Sequence, residues 1–207
     1  SALSYGGTPP ATAATESWNG TSWTEVNDLN TARAYADGAG ADNTSALAIG
    51  GDPADSGETE VWNGSSWTEV NDLSTARAQM GAAGIATAAL AFGGYPVVGK
   101  TESWNGSSWT EVADLNTDRS DPGGSGTYTA ALAFGGYNGT ARVAVTETWN
   151  GTAWTEVGDL SAARNGLGGD GDTNTAAIAF GGEGPPQSAA TEEWSEPVET
   201  TVSFTVS

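Results

Sequence analysis

The chain has no cysteine and no histidine. The first absence excludes disulfides, iron–sulfur clusters and cysteine-based zinc sites. The second removes the commonest general base and the commonest transition-metal ligand. Basic residues are scarce as well: Lys+Arg is 6 against Asp+Glu 26, a net charge of −20 in 207 residues. Such a surface repels phosphate, so nucleic acid and anionic membrane are poor partners. No apolar run approaches the roughly 20 residues of a membrane span, and no basic stretch followed by an apolar one opens the chain. The first residue is Ser1, which suggests a processed or excised segment. The sequence also shows no Gly-x-Ser-x-Gly elbow and no phosphate-binding loop.

What the chain does have is repetition. Trp18-Asn19-Gly20-Thr21-Ser22-Trp23 recurs as Trp62 to Trp67, Trp104 to Trp109 and Trp149 to Trp154, with a shortened echo at Trp194. The first tryptophans of these units lie 42–45 residues apart. Periods of this size mark solenoids, propellers or arrays.

Each repeat has the same parts. An arginine (Arg33, Arg77, Arg119, Arg164) opens a stretch of small residues. A short apolar run ending in a glycine pair follows: Ser45–Gly51, Ala88–Gly94, Ala130–Gly136 and Ala176–Gly182. The chain opens on a partial copy, Ser1–Gly7. After a variable loop come Thr-Glu-x-Trp, Asn-Gly and x-Trp-Thr-Glu-Val. All four parts read as strands, because the apolar runs are too short for helices and alternate in polarity. Asn-Gly between two Trp/Thr-rich arms predicts a tight hairpin.

Four antiparallel strands, here a to d, at this period make one propeller blade, and blades bury their faces by stacking around an axis. The predicted fold is therefore all-β: a five-bladed β-propeller forming one domain over 1–207. The blades run approximately over 1–30, 31–74, 75–116, 117–161 and 162–207. The Gly/Ala-rich a strands suit the crowded axis, and the tryptophans suit the wedges between blades. The first blade has only strands b, c and d. Glu199–Val206, with alternating Val202, Phe204 and Val206, is assigned as the last d strand; the rival is a closing strand on the first blade.

The order arginine, Gly-x-Gly, apolar strand, Gly-Gly and downstream Trp-Thr-Glu-Val resembles the kelch repeat over nearly the whole chain. The repeats are shorter than usual for kelch, and tryptophan replaces the commoner tyrosine. Runs such as Thr129–Gly136 and Ala190–Trp194 also resemble repetitive virion proteins of marine tailed bacteriophages, cyanophages in particular. That resemblance implies a structural or tail-appendage role on a virion or outside the cell. Its partners would be host-surface glycans or other virion proteins.

Function is sought where the copies differ. The b–c loops vary in length and chemistry and must emerge on one face, whereas the d–a connections read as constant. Asp52, Asp55, Tyr95, Tyr137, Asn138 and Glu183 are thus the candidate ligand-binding residues. No cofactor is expected beyond a bound divalent cation such as calcium, for which Asp170, Asp172 and Asn174 are the weak candidates, resembling half of a calcium loop. An enzyme is not expected. Carboxylates are plentiful enough for a glycosidase, but they recur in register, and a recurring residue is read as frame. The same logic assigns the repeated arginines to ion pairs and the tryptophans to packing, with anion binding and sugar stacking as the competing readings.

Overall fold

A computed structural model describes residues 1–7, 10–53, 56–184 and 187–196. These residues form no helix; their strands make five antiparallel sheets in chain order. The first blade is β1 (Ala2–Tyr5), β2 (Thr15–Trp18) and β3 (Trp23–Glu25). The second is β4 (Asp37–Asp42), β5 (Ser45–Gly51), β6 (Ser56–Trp62) and β7 (Trp67–Glu69). The third is β8 (Gly81–Ile85), β9 (Ala88–Phe92), β10 (Thr101–Trp104) and β11 (Trp109–Glu111). The fourth is β12 (Gly123–Thr127), β13 (Ala130–Phe134), β14 (Thr146–Trp149) and β15 (Trp154–Glu156). The fifth is β16 (Gly168–Thr173), β17 (Ala176–Phe180) and β18 (Thr191–Ser195). Every neighbouring pair is a simple meander. The chain is a five-bladed β-propeller, and its first blade is three-stranded among the described residues. The predicted last strand, Glu199–Val206, lies outside them.

The inner strands β4, β8, β12 and β16 line an axial channel of about 800 Å³. Small residues are required there by close approach. A Cβ on Gly124 would stand 2.4 Å from the Ala82 carbonyl oxygen, and one on Gly169 would stand 2.5 Å from that of Gly124. The glycine pairs meet a second constraint. Gly93 and Gly94 both have positive φ, and a Cβ on Gly93 would lie 2.5 Å from the Arg119 carbonyl oxygen. The Gly94 N–H donates to that carbonyl at 2.9 Å. The doublet is therefore the notch into which the next blade's linker fits.

The tryptophans fill the wedges. Trp62, Trp67, Trp104, Trp109, Trp149 and Trp154 are all buried. The d-strand indole crosses to the preceding blade: Trp67 Nε1 donates to Thr15 Oγ1 at 3.1 Å, Trp109 to Thr59 at 3.0 Å and Trp154 to Thr101 at 3.1 Å. Burying an aromatic with its one donor satisfied makes each contact both apolar and directional. Indoles so enclosed have no face free for a sugar.

The hairpin differs from the tight turn expected. Trp62 pairs with Trp67, which leaves four residues in the loop. Asn63 Oδ1 accepts the N–H groups of Ser65 and Ser66, both at 3.0 Å, and only Gly64 takes positive φ. The asparagine acts through its side chain as an Asx-type turn former.

Three blade interfaces are sealed by these indoles, and the fourth by Leu132, Phe134, Leu167, Ala177 and Ala179; among the described residues nothing comparable closes the last blade on the first. Ile178 and Phe180 on β17 are exposed, whereas Leu90, Phe92, Leu132 and Phe134 at the same positions are buried. Across the seam Trp23 is 47% exposed, and its counterpart Trp67 is 5% exposed.

Candidate functional site

Strand direction puts the d–a linkers and the b–c loops on one face. They are stitched together there by matched bridges: Ala34 with Asp52, Ala78 with Tyr95, Ser120 with Tyr137, and Asn165 with Glu183. The predicted residues Asp52, Tyr95, Tyr137 and Glu183 therefore occupy one register position in four blades. Tyr95 and Tyr137 are exposed, as is Glu183. Asn138 is exposed too, but its Oδ1 closes its own turn by accepting the N–H groups of Thr140 and Ala141. Asp55 lies outside the described residues.

One residue further along each linker lies a second ring that sequence reasoning missed: Tyr35, Gln79, Asp121 and Gly166. These have φ of 53°, 53°, 51° and 60°, all in the left-handed region. The N–H of Gln79 donates to the Tyr35 carbonyl at 3.0 Å, that of Asp121 to Gln79 at 2.7 Å, and that of Gly166 to Asp121 at 3.0 Å. This backbone chain holds the four residues around the channel mouth. With Asp37, Met80 and Pro122 they line a depression of about 160 Å³. A non-glycine residue in this conformation costs about 1–3 kcal/mol, and such outliers gather at functional sites. The signal was present in the sequence. The two residues after each arginine read Ala-Tyr, Ala-Gln, Ser-Asp and Asn-Gly, so the linkers are not as constant as they were taken to be.

A polar network joins the two rings across three blades. Asp121 Oδ2 accepts from Gln79 Nε2 at 3.2 Å and from Asn165 Nδ2 at 3.3 Å. Arg142 Nε donates to Asn165 Oδ1 at 2.7 Å, and its Nη2 donates to Glu183 Oε2 at 3.2 Å. Burial raises the pKa of Asp121; the Asn165 hydrogen bond opposes this and the Glu183 charge adds to it. Asp37 stands where the other inner strands begin with Gly81, Gly123 and Gly168. Burial pushes its pKa up to about 6, against hydrogen bonds from the backbone N–H groups of Gly38 and Ala82.

The repeated charges lie below this face and are consumed by the frame. Arg33 pairs with Glu60, Arg77 with Glu102, Arg119 with Glu147 at 2.8 Å and Arg164 with Glu192 at 2.8 Å. The first three pairs are fully buried. Each carboxylate also caps its own linker: Glu147 Oε2 accepts the Asn116 N–H at 2.8 Å, as Glu102 Oε2 accepts that of Ser74 at 2.7 Å. The arginines also bond strand carbonyls, Arg119 to Ala133 and Arg77 to Ala91. The expected ion pairs are thus joined by bonds to backbone carbonyls.

Asp170 and Asp172 lie on the innermost strand β16, away from this face. Asn174 spends its amide on Thr148 Oγ1 at 2.8 Å and the Trp149 carbonyl at 3.1 Å, tying the fifth blade to the fourth. Among the described residues no three acidic side chains gather as metal ligands.

Neither a protein-family model nor a curated protein matches this chain.

Proposed function

We infer that this propeller is a non-enzymatic binding module, exposed on a virion or tail appendage or otherwise outside the cell, whose linker-and-loop face contacts host-surface glycans. One observation carries the reading. Residues at matched positions are the same from blade to blade where they build the frame, and they differ where they reach solvent on this face. Asp52, Tyr95, Tyr137 and Glu183 share a register, as do Tyr35, Gln79, Asp121 and Gly166. Exposed aromatic rings beside amides and carboxylates are what hydroxyl-rich ligands require. The carboxylates a glycosidase would use in the c strands, Glu60, Glu102 and Glu147, are instead neutralised by buried arginines. The phage context rests on the wording of the repeats, Thr129–Gly136 and Ala190–Trp194, and the kelch-like order of motifs fits the same kind of module. Other virion proteins would be the partners in assembly. A glycan array probed with the labelled chain tests the reading. Binding that is lost on Tyr95→Ala supports it. A flat array, or turnover in a hydrolase panel, contradicts it. The alternative, a soluble lectin or protein-interaction propeller, uses the same face and separates by whether the chain copurifies with virions.

A further inference from the structure

The inner ring carries a narrower inference. We propose that the depression framed by Tyr35, Gln79 and Asp121 takes a single neutral sugar unit, and this rests on the glycan reading of the face above.

The repeat supplies its own control. Gly166 shows that glycine fits this register, and a Cβ there would meet nothing within 4 Å. In the fifth blade, then, nothing packs on this position; Tyr35 is exposed, and Gln79 and Asp121 are half-buried. Three blades nevertheless keep a side chain in the left-handed region, which glycine enters freely, Asp less so and Tyr and Gln least. Gln79 and Asp121 reach one another, but the Tyr35 ring is 47% exposed, and its hydroxyl has no hydrogen-bond partner among the described residues. Frame-building does not account for retaining it.

The chemistry on offer is specific. The Tyr35 ring gives an apolar plate for the C–H face of a pyranose. Asp121 Oδ1 accepts no hydrogen bond among the described residues and is left for a sugar hydroxyl. Gln79 has donated to Asp121, and its amide oxygen is left as a second acceptor. Asp121 is held in place before any ligand arrives: Gln79 and Asn165 both grip Oδ2, and Arg142 fixes Asn165 at 2.7 Å. A preset acceptor spares the ligand part of the ordering cost. Asn165 and Arg142 are positioning residues in this scheme.

Charge selects the sugar. Asp37 and Asp121 both line the depression, which contains no cation. Arg142, which reaches the ring through Asn165, is already engaged by Asn165 and Glu183. Uronic and sialic acids would be repelled by these carboxylates and by the net charge of −20. At about 160 Å³ the depression admits one ring, and further sugars would run outward over the b–c loops.

The test uses the whole chain on an array of glucose-, galactose-, mannose- and fucose-terminated glycans beside sialic- and glucuronic-acid-terminated ones. The strongest neutral binder is then titrated calorimetrically against Tyr35→Gly, Asp121→Gly and Tyr95→Ala. The expected result is preference for neutral termini, at least tenfold weaker binding by each glycine variant, and melting temperatures no lower than the parent's. Preference for acidic termini overturns the proposal. So does a lowered melting temperature in the glycine variants, which would make these side chains part of the frame. Glycine variants that bind normally while Tyr95→Ala does not would overturn the inner subsite and leave the glycan face standing. No binding by the parent removes both.

Discussion

Phe92 and Phe180 occupy the same position in two blades, and their surroundings could hardly differ more. Phe92 is fully buried, edge-on to Trp154 with ring centroids 5.0 Å apart. Phe180 is 43% exposed: the inner strands that press Gly124 on Phe92 and Gly169 on Phe134 have no counterpart in the first blade among the described residues. The same contrast separates Trp67 from Trp23, and Ala89 from Ala2. The strands and residue types match, so neither propensity nor composition distinguishes the members of each pair. What a side chain contributes is set by the blade that stands opposite it. A repeat protein is close to a sum of unit and interface terms, and here the four interfaces between successive blades are filled while, among the described residues, the one between the last and the first is not.

The comparison is broken most easily at the tryptophans. Trp109→Ala removes a buried indole together with its bond to Thr59, and should cost about 3–5 kcal/mol, the range for emptying a large aromatic site. Trp23→Ala removes an indole half in water, and should cost less than about 1.5 kcal/mol, since little cavity forms. Denaturant titration of the two variants measures both. Equal losses would show that the seam is sealed as tightly as the other interfaces.

The arginine pairs give a second contrast of nearly the same size. Glu147→Gln leaves Arg119 as a buried, uncompensated charge and should cost about 3 kcal/mol or more. Burial already lowers the pKa of Arg119 against the raising effect of Glu147. Glu16 is the matching residue of the first blade, but it is exposed, and no arginine pairs with it among the described residues. Glu16→Gln should change stability by no more than about 0.5 kcal/mol, as ordinary surface substitutions do. A large loss at Glu16 would mean that the first blade has a buried cation of its own.

Asp37 gives the smallest effect and contrasts one inner strand with its neighbours. Its folded pKa is raised to about 6, so the neutral acid favours the folded state. That stability is fully present below the unfolded carboxyl pKa and is lost as pH climbs through about 6. Asp37→Asn should therefore melt higher than the parent at pH 7 by a few degrees, and the gap should close towards pH 4. A gap that does not change with pH would mean that Asp37 titrates normally.

Much of the frame was legible because it was written repeatedly. The period, the strand content, the small inner residues, the packed tryptophans and the arginines all recur in register, and a recurring residue answers a recurring contact. The Asn-Gly turn was misjudged because two residues suffice for the motif, while loop length is fixed only by which tryptophans pair. The outer ring of the site was read from the loops that vary most. The inner ring escaped because Tyr35, Gln79 and Asp121 sit in linkers that otherwise repeat. Their exposure and positive φ arise from hydrogen bonds between residues about 40 positions apart. The seam was illegible for the same kind of reason, since exposure of Phe180 depends on what stands opposite it and not on its own strand.

The central claim is that residues shared by the blades build the frame, and residues particular to one blade on the linker-and-loop face do not. The melting temperature of the triple variant Tyr35→Gly, Gln79→Gly, Asp121→Gly tests it most directly, because all three positions would then match Gly166. The account predicts a midpoint at or above that of the parent, as left-handed strain is relieved. A midpoint several degrees below the parent would contradict it.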